Sequence, residues 1–161
     1  EDMMVIDFLE YIAKLRAVPK DQIRPRLKNI CERCGLVAVV GKDIGQLSKG
    51  FRQRVGLAQA MVHDPDIIIL DEPTSGLAPN QIVEIRALIK EIGREKTIVL
   101  STHILPEVQA TCGRIIIIND GKLVADDTPV PEPSQIQISA SPANLMTSPP
   151  CSMTISMSLP K

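Results

Sequence analysis

Residues 66–73 read Asp-Ile-Ile-Ile-Leu-Asp-Glu-Pro. Four branched apolar residues in a row, with no polar alternation, make the pattern of a strand buried on both faces. Such strands belong to parallel sheets covered by helices on both sides. The run ends on Asp71 and Glu72, two like charges side by side, which repel unless a cation, a proton or water takes up the charge. A second run, Thr-Ile-Val-Leu-Ser-Thr at 97–102, repeats the pattern. Between them residues 80–92 are amphipathic: Ile82, Ile85, Leu88, Ile89 and Ile92 form one stripe, and Gly93 stands just beyond the expected end. Strand, helix, strand with apolar strands predicts an α/β fold, a mostly parallel sheet with flanking helices.

The flanks differ. Residues 1–46 predict a helical unit of two helices and a linker. Val5, Phe8, Leu9, Ile12 and Leu15 recur at helical spacing, and Val-Pro-Lys-Asp at 18–21 interrupts them. A second helix begins near Asp21, a good N-cap residue, and carries Ile23, Leu27, Ile30, Cys31 and Cys34. Gly35 suits the position just past its end. Residues 47–127 hold a further helix at 49–62, the strand–helix–strand unit, and two strands flanking Asp120-Gly121, a strong hairpin signal. From Thr128 the composition changes: the last 34 residues hold seven Pro, seven Ser, one acidic residue and one Lys. So little core material and so much Pro predict a disordered segment at 128–161.

The whole chain has 161 residues and a formal net charge of −1, which gives no broad field for nucleic acid or an anionic membrane. With only Phe8, Tyr11 and Phe51 as aromatics, a base-stacking surface is excluded too, and no nucleic-acid partner is expected. Four cysteines, Cys31, Cys34, Cys112 and Cys151, do not make a disulfide framework in a chain of this size, so a reducing cytosol is the expected compartment. Cys31 and Cys34, at CxxC spacing, have no second pair and read as small core residues rather than a zinc or redox site. No window of 18 uninterrupted apolar residues exists, and no signal peptide opens the chain. The first residue is Glu1, not Met, which suggests a fragment.

Three patterns carry chemistry. Asp71 and Glu72 stand at the carboxyl edge of a buried strand, where ligands bind in open α/β sheets. One carboxylate there suits Mg²⁺, which takes the rest of its shell from water and phosphate, while its neighbour polarises a water. Taken alone, the pattern reads more readily as acids solvated at a strand end. In Leu47–Met61, Ser48 stands as an N-cap and Lys49-Gly50 open a helix whose N-terminal amides suit phosphate. Alone, this is an ordinary capped helix with a solvated basic face. Ile98–Leu105 delivers His103 from the edge of the second strand, and a neutral imidazole there could donate to a phosphate oxygen or a water. Alone, a single His is usually structural.

Together and in this order, "LSKGFRQRVGLAQAM", "IIILDEPTSGLAPNQ" and "IVLSTH" resemble the nucleotide-binding subunits of ATP-binding cassette (ABC) transporters. The likeness spans residues 1–127, with the motifs concentrated in 43–125. "VIDFLEYIAKLR" and "NDGKLVAD" look most like the ATPases of ABC-2-type exporters, of the gliding-motility and drug-export kinds. The resemblance implies a partial P-loop NTPase fold, with residues 1–46 as the helical subdomain that meets a membrane-spanning partner. It implies ATP and Mg²⁺ as cofactors. Ser48, Lys49, Gly50 and Phe51 would be the signature that caps ATP on a second, head-to-tail nucleotide-binding subunit; Lys49 and Phe51 depart from the usual Leu-Ser-Gly-Gly-Gln. Asp71 would hold Mg²⁺ through water, Glu72 would activate the hydrolytic water, and His103 would be the switch histidine. Ser75, Gly76, Leu77 and Ala78 match the D-loop, with Ala78 where Asp is common. The remaining partner would be an ABC-2-type permease, placing the chain on the cytoplasmic face of the membrane.

No G-x-x-x-x-G-K-[ST] occurs; Gly41-Lys42 is followed by Asp43. In the family the phosphate cradle and the Q-loop precede the signature, so the chain is expected to be the C-terminal portion of a cassette and not to bind ATP tightly by itself. The leading reading is thus an ATP-hydrolysing subunit that energises export. The alternatives are a non-enzymatic remnant or helper lending only a signature face, which Ala78 and the missing cradle favour, and a soluble ABC ATPase acting on ribosomes or DNA.

Overall fold

The computed structural model describes residues 1–119 and 121–128, and the backbone of 154–157. Helix α1 spans Val5–Leu15 and buries Val5, Leu9, Ile12 and Ala13. Helix α2, Lys20–Arg33, starts earlier than Asp21. Pro19 takes the N-cap position instead: it has no N–H to leave unpaired, and its carbonyl accepts from the amides of Gln22 and Ile23 at 2.9 and 3.2 Å. Asp21 falls in the first turn, where its charge faces the positive end of the helix dipole. At the other end Gly35 adopts φ +64°. Its amide donates to Glu32 and that of Leu36 to Cys31, at 3.1 and 2.8 Å, the double closure that a left-handed residue permits. Leu36 is thereby turned into the core.

Two short 3₁₀ turns, Val37–Val39 and Ile44–Gln46, lead to α3, Lys49–Met61. Strand β1, Ile67–Asp71, then pairs in parallel with β2, Thr97–Ser101, in a register that sets Ile67 opposite Thr97 and Asp71 opposite Ser101. The crossover between them is α4, Pro79–Gly93, whose Ile85, Leu88, Ile89 and Ile92 are buried. Gly93, expected beyond the helix, is its last residue, and Arg94 takes the C-cap. Helix α5, Leu105–Thr111, was not foreseen: at seven residues it is too short for the helical period to show in sequence. Strands β3, Ile115–Asn119, and β4, Lys122–Asp127, form the expected antiparallel hairpin, with Gly121 at φ +72° in its turn. Asp120 lies outside the described residues.

One expectation fails. The Ile-rich strand is not buried on both faces. Ile68 and Leu70 are in the core, but Ile67 is 60% and Ile69 74% exposed. The core of the described residues lies on one side of β1 and β2, so every second side chain points away from it. Thr154–Met157 form a strand, β5, antiparallel to β2, so that the sheet order is β1-β2-β5. This is a Pro-free stretch of residues 128–161, and pairing satisfies backbone groups along the open edge of β2. The rest of 129–161 lies outside the described residues.

Candidate functional site

The parallel register decides what the strand ends bring together. Asp71 and Ser101 are opposite one another, so the residues that follow each strand leave the sheet side by side. The amide of Glu72 donates to the carbonyl of Ser101 at 2.9 Å, extending the ladder by one bond. The Ser101 hydroxyl donates to a carboxylate oxygen of Asp71. One step further, Nδ1 of His103 lies 2.5 Å from Oε1 of Glu72. Both side chains of this pair are exposed to solvent. The predicted trio, Asp71, Glu72 and His103, is therefore one cluster at the carboxyl edge of the sheet.

Glu72 has φ +41°, a left-handed conformation that is strained for a residue with a side chain. Such strain persists only where the surroundings hold it. The loop after β1 is held by Ser75, whose amide donates to the Glu72 carbonyl at 3.0 Å, and by Gln53, whose side-chain amide donates to the Pro73 carbonyl at 2.9 Å. It is held a third time by Thr74, whose hydroxyl donates to Glu107 of α5 at 2.5 Å. Gln53 and Glu107 were missed in the sequence. Gln53 carries no signal beyond its place in the helix. Glu107 does, as an acid within an otherwise apolar helical turn.

Ser48, Lys49 and Gly50, the expected signature residues, form a second cluster with the loop that follows β1. Ser48 caps α3, its hydroxyl accepting from the Phe51 amide at 3.4 Å. A Cβ at Gly50 would stand 2.7 and 2.9 Å from the side-chain atoms of Gln81, and one at Gly76, where φ is +66°, would collide with the Lys49 ammonium. Glycine at both positions lets the signature helix close onto the loop Ser75–Ala78 and the start of α4. Ala78 is the N-cap residue of α4 and has no side-chain oxygen to serve as cap; Gln81 Oε1 accepts from its amide at 3.2 Å. Among the described residues no hydrogen bond or ion pair joins Ser48, Lys49 or Phe51 to Asp71, Glu72 or His103. The link between the clusters is Gln53.

The donor set suits a magnesium ion held mainly by water and phosphate. Asp71 commits one oxygen to the Ser101 hydroxyl and keeps the other free of hydrogen bonds among the described residues. No group of three or more His, Cys, Asp or Glu side chains among the described residues could cage a metal. Cys31, Cys34 and Cys112 are reduced and buried. Burial pushes the Cys34 thiol up to about 12 and that of Cys112 to about 11.

A family model described as ABC transporter matches residues 6–75. The ATP-binding protein NatA of Bacillus subtilis (strain 168) is 39% identical over 117 residues, 72% of this chain and 48% of that relative. A methionine import ATP-binding protein, MetN 1 of Bacillus thuringiensis subsp. konkukian, is 38% identical over 120 residues, 73% of this chain and 35% of its own length. Among solved structures CbiO1 of Clostridium perfringens, part of the ABC transporter complex CbiONQ, superposes with a TM-score of 0.73 at 31% identity, over 80% of this chain and 52% of that one. The chain thus spans about half or less of the length of the relatives it matches. The two parallel strands, the motif order and these likenesses agree: the chain is an ABC transporter ATP-binding domain sequence, and its described residues build a partial P-loop NTPase fold of that type.

Proposed function

We propose that the chain is the signature-bearing and carboxylate-bearing part of an ATP-hydrolysing subunit of an ABC transporter. The observation that carries this reading is the delivery of Asp71, Glu72 and His103 to one point by two strands in parallel register. Asp71 would hold Mg²⁺ through water, and bound Mg²⁺ would supply neutralisation of phosphate charge. Glu72 commits Oε1 to His103 and keeps its second oxygen for the attacking water, so the histidine orients the base. With Nδ1–H given to the carboxylate, the imidazole donates to a phosphate oxygen through Nε2 only as the imidazolium. Ser48, Lys49, Gly50 and Phe51 would cap ATP held on a head-to-tail partner, with Ser75–Ala78 passing signals between the two.

A groove between the helical unit and α3, lined by Phe8, Tyr11, Ile44, Arg52 and Val55, supports a docking role toward a permease, and with it a place on the cytoplasmic face of the membrane. Export through an ABC-2-type permease rests on the phrasing of Val5–Arg16 and Asn119–Asp126; the import proteins among the relatives speak for the opposite direction. The phosphate cradle has to come from residues other than these 161, which hold no G-x-x-x-x-G-K-[ST]. A second reading, a helper lending only its signature face, draws on that fact and on Ala78.

ATP turnover and dimerisation test both, first for this chain alone and then mixed with a full-length homologous cassette. Alone, it is expected not to bind ATP at micromolar concentrations; in the mixture it forms an ATP-dependent dimer that turns over. Joined to an intact phosphate cradle, the Glu72→Gln chain is expected to trap ATP under the first reading and to change nothing under the second. Micromolar ATP binding by the isolated chain, or no association in the mixture, overturns the proposal.

A further inference from the structure

The contact between Glu72 and His103 does not account for itself. Both side chains are exposed, and an exposed ion pair contributes little and cannot hold its own geometry against water and side-chain entropy. The two segments leave the sheet as loop and helix, free to diverge once the strand ladder ends. Three side-chain links cross between them, at Asp71–Ser101, Glu72–His103 and Thr74–Glu107. The third differs from the others in being buried: Thr74 is 4% and Glu107 6% exposed.

A buried carboxylate is costly unless it is bonded, and Thr74 is the partner of Glu107 among the described residues. Such a bond is strengthened by its low-dielectric surroundings and breaks only at the expense of a desolvated charge. It joins the loop that carries Glu72 to the helix that follows His103. No role in nucleotide chemistry needs Thr74 or Glu107 to touch a phosphate, so the acid is buried without a task unless the bond itself is the task.

We infer that the buried Thr74–Glu107 bond is a positioning device that sets the distance between Glu72 and His103. Opening it would let α5 and the β1 loop drift apart and release both the base and the histidine from their shared geometry. The proposal rests on the hydrolytic reading for its consequence in catalysis, but its structural content stands apart from that reading.

The test uses the full chain labelled with ¹⁵N-histidine. Only His63 and His103 contribute signals. The His103 Nδ1 resonance is assigned by its change in Glu72→Ala, which removes the partner. Thr74→Val is expected to move that resonance to the position seen in Glu72→Ala, and Thr74→Ser to restore it. Loss of a buried partner also unfolds some proteins, so the double variant Thr74→Val with Glu107→Met is made as well. Replacing both partners by apolar groups of similar shape is close to neutral for stability, so it stays folded while lacking the bond. An unmoved Nδ1 resonance in either folded variant, with only the melting temperature changed, assigns the bond a merely structural role and overturns the inference. Joined to an intact phosphate cradle, Thr74→Val is expected to lower kcat about tenfold or more with KM unchanged, since small misplacement of a reacting group costs rate steeply. If wild type shows no turnover, the hydrolytic reading fails while the resonance result still decides this one.

Discussion

At the scale of single residues the described cysteines are withdrawn from solvent. Cys34 has no exposed surface and Cys112 almost none. Burial raises both thiols, to about 12 and about 11 from 9.0. The folded chain therefore keeps protons that the unfolded chain gives up above pH 9. Stability from these thiols is full below pH 9 and is lost as pH rises toward 11 and 12, by roughly 1.4 kcal/mol per unit for each thiol. Urea denaturation at pH 8, 9 and 10 is expected to show this decline, and Cys34→Ala to make it shallower by one thiol's share. An unchanged slope in that variant would mean that the thiol ionises as readily in the fold as out of it. The sequence already read the CxxC pair as core residues, and the burial of Cys31 and Cys34 agrees.

At the scale of elements, capping decides how firmly each helix is placed. Helix α2 ends on a glycine-based closure, and α3 begins on Ser48 with its hydroxyl engaged. Helix α4 begins on Ala78, which has the extended backbone of an N-cap residue but no side-chain acceptor. Its fold-back comes from Gln81 alone. Ala78→Asp adds an acceptor for the first-turn amides and a negative charge at the positive helix end. It is expected to stabilise the chain by about 0.5–2 kcal/mol, seen as a higher urea midpoint with the same slope. A lower midpoint would show that the loop Ser75–Ala78 has no room for a carboxylate beside Glu72 and the Lys49 ammonium. Most element boundaries were legible because caps and turn residues act locally. Pro19, Gly93 and α5 were misjudged because a carbonyl cap, a tightly packed glycine and a two-turn helix leave little local pattern.

At the scale of the molecule, the sheet is half covered. Ile67 and Ile69 form an apolar strip on β1, which is also an edge strand among the described residues. Exposed apolar strands at a sheet edge promote association between copies. The chain is expected to self-associate at high concentration in sedimentation. Ile69→Thr, which keeps a β-branched side chain, is expected to weaken that association while changing stability by no more than about 0.5 kcal/mol. Destabilisation of several times that amount would show that Ile69 packs against something in solution.

The order of motifs along the chain, the two apolar strands, the helix between them and the identity of the acids and the histidine were all determined by sequence alone. They depend on short-range periodicity and on which residues exist to do chemistry. What only the tertiary structure decided was which side chains meet. The parallel register placed Glu72 against His103, the fold buried Thr74 with Glu107, and among the described residues the core packs against one side of β1 and leaves Ile67 and Ile69 exposed. Each of these depends on contacts between residues far apart in the chain, which leave no trace in local sequence.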